Sequence, residues 1–125
     1  MKRTIKKVLA TVALATATVV PLGALPASAA LSDCQSGYLC AWWDINYSGS
    51  KYQFGGNNTS WNAWAIADDD SSWYNHGTSG MKVAVYNDTN YTGGTTVCLT
   101  QGQYVAWNYS ANDRGSSNQW NWGSC

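Results

Sequence analysis

Tyr86-Asn87-Asp88-Thr89-Asn90-Tyr91-Thr92-Gly93 reads aromatic-x4-Tyr-x-Gly. Trp42-Trp43-Asp44-Ile45-Asn46-Tyr47-Ser48-Gly49 reads the same way, with first aromatic, Tyr and Gly each displaced by 44 residues. Downstream, Ala63-Trp64 precedes Asp68-Asp69-Asp70-Ser71-Ser72, as Ala106-Trp107 precedes Asn112-Asp113-Arg114-Gly115-Ser116-Ser117. Matched landmarks in matched order mark an internal duplication, and a duplication constrains the fold before any strand is assigned. The copies run over about 38–78 and about 81–122.

Around these landmarks the chain reads as all-β. No window after residue 30 holds apolar residues at helical spacing for three turns. Short runs such as Met81-Lys82-Val83-Ala84-Val85-Tyr86 and Gly94-Thr95-Thr96-Val97-Cys98-Leu99 alternate with Gly, Asn, Ser and Thr clusters. Short strands with regular turn signals predict a sandwich or barrel. Aliphatic residues are few, so the eight Trp, eight Tyr and Phe54 must supply the packing. Rings of about 150–250 Å² each exceed what one small core needs. Some must therefore be exposed, and Trp120 and Trp122 in the polar tail are the expected ones.

The N-terminus carries an export signature. Lys2, Arg3, Lys6 and Lys7 precede an apolar stretch from Val8 to Leu25, and Ala27-Ser28-Ala29 ends it. Basic start, apolar middle and A-x-A end predict a cleaved signal peptide over 1–29, with cleavage after Ala30 as the neighbouring option. A membrane anchor needs about 20 apolar residues, and Pro21, Gly23 and Pro26 interrupt that length. Cleavage leaves one secreted domain, 30–125, with Lys51, Lys82 and Arg114 against seven Asp and no Glu, a formal charge of −4. Such a balance argues against nucleic acid as a partner, since phosphate neutralisation supplies most of that affinity. No membrane association after cleavage and a monomeric state are expected.

Cys34, Cys40, Cys98 and Cys125 all lie in the exported part. An even count in a small secreted domain reads as two disulfides. Three pairings are possible; in the expected one Cys34 and Cys40, close in sequence, close a small ring, which leaves Cys98 with Cys125. Zinc is disfavoured, because no C-x-x-C pair exists and His76 is the one histidine.

Aromatic-x4-aromatic-x-Gly followed by Asn/Asp-Asn/Asp-x-x-Ser/Thr-Ser resembles the microbial βγ-crystallin motif. The resemblance implies two four-stranded Greek keys packed as one small β-sandwich. The glycine suits it, because the folded hairpin needs φ > 0 there. The second copy matches in full. In the first, the double serine aligns only if Ala67 takes the first Asn/Asp place; a strict offset keeps Asp68 and Asp69 in register but puts Trp73 where the last Ser belongs. The resemblance also implies calcium on hard oxygen ligands, with Asn112, Asp113 and Ser116 as ligands in copy two and Asp68, Asp69 and Ser71 or Ser72 in copy one. Read without it, these are turns whose side chains cap their own backbone.

Cys34-Gln35-Ser36-Gly37-Tyr38-Leu39-Cys40, followed directly by that motif, is similar to the start of the secreted actinobacterial metalloproteinase inhibitors, the SMPI-type family. The resemblance implies an inhibitor of thermolysin-like metalloproteinases whose partner is an extracellular protease. It places Cys98 and Leu99 on the inhibitory loop, with Leu99 as the apolar side chain offered to the enzyme. The family's second loop cysteine is missing from Thr100-Gln101-Gly102-Gln103-Tyr104. By itself Val97-Cys98-Leu99 is an ordinary strand. The alternative function is a non-catalytic, calcium-stabilised extracellular module that binds glycans through exposed Trp. An enzyme is not expected: no nucleophile elbow, H-E-x-x-H or phosphate-binding loop occurs.

Overall fold

The computed structural model describes residues 27–125. The expected signal peptide therefore lies outside the described residues, apart from its last three, which open the short helix α1 (Ala27–Ser32). Seven strands follow: β1 (Leu39–Asp44), β2 (Ser48–Phe54), β3 (Ser72–Asn75), β4 (Lys82–Asp88), β5 (Thr92–Leu99), β6 (Tyr104–Val105) and β7 (Ser117–Asn121). They form two antiparallel sheets ordered β2-β1-β3-β6 and β5-β4-β7. The third segment of each copy crosses to the other copy's sheet. β6 pairs with β3, and Asn58 bridges Asn118 on β7. Two Greek keys locked by this exchange are the architecture that the βγ-crystallin resemblance implied.

The two hairpins repeat each other atom for atom where it matters. Gly49 and Gly93 have φ of 74° and 76°, and a Cβ on either would run into the carboxylate of Asp44 or Asp88. The Ser72 hydroxyl donates to Asp44 O at 2.7 Å and accepts from Tyr47 N at 3.0 Å. Ser117 does the same with Asp88 O at 2.7 Å and Tyr91 N at 3.2 Å. Each serine thus latches a folded hairpin to its sheet. Ser71 N and Ser116 N reach Trp42 O and Tyr86 O, both at 2.9 Å. These pairs settle the alignment: Ser71-Ser72 match Ser116-Ser117, so Ala67 stands where copy two has Asn112.

Alternation along β1 feeds two apolar layers. Leu39 and Ala41 enter the main core between the sheets with Phe54, Trp61, Ile66, Trp73, Val83, Val85 and Leu99. Cys40 and Trp42 face the other way, into a smaller layer with Cys34 and Tyr47 that Leu31, Tyr38 and Tyr74 cover. The Cys34–Cys40 disulfide staples that outer layer, and Cys98–Cys125 ties the C-terminus to β5. Trp122 is 71% exposed, as expected for the tail. Trp120 is not: it packs half-buried against the main core, because it pairs with Val83 on the central strand β4 and shares its inward face.

Candidate functional site

Two places gather the chemistry of the chain. The first is the turn after β5. Leu99 is 1% exposed and sits in the core. It cannot be offered to an enzyme cleft while the domain is folded. The physical reason is strand alternation: the side chain points between the sheets, and only the residues beyond the strand leave them. Thr100, Gln101, Gly102 and Gln103 are all exposed.

This exposed turn is held firmly from beneath. Asn75 is fully buried at the end of β3. Its Nδ2 donates to Leu99 O at 2.9 Å and to Met81 O at 3.2 Å. Its Oδ1 accepts from Gly77 N at 2.9 Å. Its backbone N–H reaches Gln103 O at 2.9 Å, and its carbonyl accepts from Gly102 N at 2.8 Å. Within the turn, Gln103 Oε1 accepts from Thr100 N at 3.0 Å and from its hydroxyl at 3.2 Å. Gln101 Oε1 accepts from Gly80 N. At the foot of the turn, Cys98 is bound covalently to Cys125. A loop ordered this way loses little conformational entropy when a partner binds it.

The second place is where the Asp-Ser loops of the two copies cross. Asp68 N donates to Gly115 O at 2.9 Å, and Asp113 N to Asp70 O at 2.8 Å. Asp68 and Asp113 both hold a left-handed φ of 58°. Ser116 Oγ donates to Asp68 Oδ1 at 2.9 Å, so the structure brings a ligand candidate of each copy together. Asn112 Oδ1 is buried without a hydrogen-bond partner. Ser72 belongs to the hairpin latch instead, its hydroxyl engaged both as donor and as acceptor. Ser71 is buried beside it, and Asp69 is half-buried. No group of three His, Cys, Asp or Glu side chains converges among the described residues.

Asp70 clasps the crossing. Its Oδ1 accepts from Gly115 N at 2.7 Å and Arg114 N at 3.1 Å, and its Oδ2 from Trp73 Nε1 at 2.7 Å. Burial pushes this carboxyl up to about 6, while the donors pull against that rise. His76 is structural: its Nδ1 lies 2.8 Å from Cys34 O and its ring stacks on Tyr74.

The family model of peptidase inhibitor family I36 matches residues 27–99, more than half of the chain. The chain belongs to peptidase inhibitor family I36. The I36 match stops at Leu99, at the foot of the braced turn. Solved structures of the βγ-crystallin fold resemble this I36 chain in fold. One is a double mutant of a βγ-crystallin domain from Clostridium beijerinckii, 32% identical, with a TM-score of 0.55; the match covers 66% of this chain and 93% of that one. Another is a βγ-crystallin from Ciona intestinalis, 19% identical, with a TM-score of 0.58, covering 68% of this chain and 100% of that one. A third, from work on the evolution of the eye lens βγ-crystallin domain fold, is 18% identical with a TM-score of 0.63, covering 70% and 89%. No curated protein matches the chain.

Sequence reasoning passed over Asn75, Gln103 and the special place of Asp70. One signal was readable. Asn is depleted in strands, and Asn75 closes the strong strand run Ser72-Trp73-Tyr74. A polar residue there announces a buried hydrogen-bonding duty.

Proposed function

We propose that this I36 member is a secreted inhibitor of thermolysin-like metalloproteinases that meets its target through Thr100–Gln103. The observation that carries the reading is the bracing of this exposed turn by buried Asn75. A peptidase inhibitor competes best when its contact loop enters the cleft already ordered. The metalloproteinase class draws on the resemblance carried by Cys34–Cys40 joined to two βγ-type copies. The two disulfides suit an oxidising, extracellular setting. The test is a titration of the purified protein into a thermolysin-like enzyme and, separately, into a subtilisin-like one. Stoichiometric loss of the first activity alone is expected. Full metalloproteinase activity at about a hundredfold molar excess of inhibitor would refute the reading.

A second reading concerns calcium, and the unpartnered Asn112 Oδ1 favours it. The donors at the crossing are carboxylate, amide and hydroxyl oxygens, which suit calcium rather than zinc. Asn112, Asp113, Asp68 and Ser116 would hold the ion, with Ser71 and Asp69 as the remaining candidates. Copy one has Ala67 in place of an amide, so its side supplies fewer donors. Bound calcium would stabilise the folded state by mass action. Melting temperatures measured in calcium and in chelator test this, and equal values would remove it.

A further inference from the structure

A groove of about 410 Å³ opens on the domain surface beside the core. Its walls come from three separate segments: Gly37, the Gly55-Gly56-Asn57 run after β2, and the Gly77-to-Met81 connector before β4. Trp120 completes the lining. Glycines keep it open. A Cβ on Gly77 would stand 2.7 Å from the Trp120 ring, so a larger residue there would displace the indole. The Trp120 Nε1–H is buried and has no acceptor within the protein. The ring meets Gly77 at the groove wall through its apolar Cζ3–Cη2 edge rather than through that nitrogen.

The lining limits what can bind. It contains no charged residue, which disfavours phosphate, carboxylate and ammonium ligands. An extended peptide would need a free sheet edge to pair with. The outer edge of β7 is already taken: Asn118 pairs with Asn58, and Trp120 N donates to Asn57 Oδ1 at 2.8 Å. What remains is a neutral ligand with an apolar face and acceptor oxygens. A pyranose has both, and the groove's volume lies within the usual range for small-ligand sites, roughly 300–1,000 Å³.

We propose that this groove binds a neutral saccharide, with Trp120 as its aromatic wall and Asn57, Thr78 and Ser79 as its polar contacts. The site is separate from the turn read as inhibitory, so it stands or falls independently of that reading. Gly56 offers a clean block. A Cβ there meets nothing within 4 Å, and its backbone lies outside the left-handed region. Gly56→Leu therefore puts a bulky apolar side chain on this wall of the groove without straining the fold. The experiment is isothermal titration of the full protein with triacetylchitotriose, cellotriose and maltotriose. Saturable one-site binding of at least one is expected, weakened at least about tenfold in Gly56→Leu and in Trp120→Phe, with circular dichroism unchanged. Absence of binding by all three sugars at about 10 mM, where even weak sites of Kd near 1 mM would fill, overturns the proposal. So does undiminished binding by Gly56→Leu.

Discussion

Replacing Asp70 by Asn tests how the two copies are clasped. The change is nearly isosteric, so packing is retained. Oδ1 can still accept from Gly115 N and Arg114 N. The new amide nitrogen, however, faces the Trp73 Nε1–H, which now donates to Oδ2 at 2.7 Å. A protonated carboxyl oxygen can still accept that bond, and an amide nitrogen cannot. The variant therefore leaves a buried donor unpaired, at roughly 1–3 kcal/mol. At neutral pH this loss is partly offset, because the wild type must keep a buried charge. The offset has a definite pH dependence. The carboxyl moves from an ordinary 3.8 to about 6 on folding, chiefly through burial. A raised folded value means that the native state binds the proton more readily. Its stabilising contribution is full below the unfolded value and is lost as pH rises through about 6. Between about pH 7 and pH 4.5 linkage gives the wild type about 2 kcal/mol that the Asn variant lacks. The comparison cancels what the other six Asp contribute, since both proteins carry them. Urea denaturation followed by tryptophan fluorescence at both pH values measures the gap. It should widen on acidification by about 2 kcal/mol, or roughly 8–16 °C in melting temperature for a domain of this size. A gap that stays constant or narrows as pH falls would refute the reasoning.

Other perturbations separate scaffold from function. Asn75→Ala removes the brace under the turn and leaves Leu99 O without its donor; we expect a loss of roughly 2–3 kcal/mol in stability and an inhibition constant raised more than about tenfold, read from the protease titration beside Asn62→Ala, an exposed residue outside the turn, as a control. Cys125→Ser opens a closure of 27 residues and should lower stability by about 3.5 kcal/mol in the chain-entropy model, seen as a lower denaturation midpoint with a larger m-value, since the freed denatured chain exposes more surface. Gly93→Ala places a Cβ against Asp88 at φ 76°; the expected loss of at least about 1 kcal/mol should be absent in Gly56→Ala, where the space is open. Thermal melts of the two variants side by side decide it.

The architecture was legible because duplication repeats its evidence. Tyr86, Tyr91 and Gly93 alone would mark a hairpin; their echo in Trp42, Tyr47 and Gly49 marks a duplication, which the resemblance to the βγ-crystallin motif turns into a pair of Greek keys. The disulfides followed from count and spacing. The sites were less legible, for separate physical reasons. Leu99 looked available because adjacency to a cysteine says nothing about which face of a strand a residue occupies. One residue on, at Thr100, the chain has left the sheet and the exposed turn begins. Ser72 looked like a ligand because a hydroxyl beside aspartates suits a metal, but only the three-dimensional partners, Asp44 O and Tyr47 N, reveal it as a latch. Trp120 looked exposed because polar neighbours surround it in sequence, although pairing with β4 carries its ring against the core. Asn75 could not be found by motif, since all of its partners but Gly77 and Met81 lie at least 24 residues away.

The broken symmetry of the copies points to where function has diverged. The segment after the second strand of copy one, Gly55-Gly56-Asn57, forms a wall of the groove. The segment after the second strand of copy two, Thr100–Gln103, is the braced turn. The scaffold thus offers the same structural position twice and uses it differently. Both positions rest on the connector that follows β3. Gly77 lines the groove and donates to Asn75 Oδ1, while the same side chain's Nδ2 holds Leu99 O. Gly80, further along the connector, donates to Gln101 of the turn. A ligand that shifted Gly77 would therefore disturb the hydrogen bonds that order the turn. Coupling of this kind requires a physical element in contact with both sites, and Asn75 is one. The inhibition constant measured with and without a groove ligand would differ if the coupling operates, and identical constants would show that the two sites act separately.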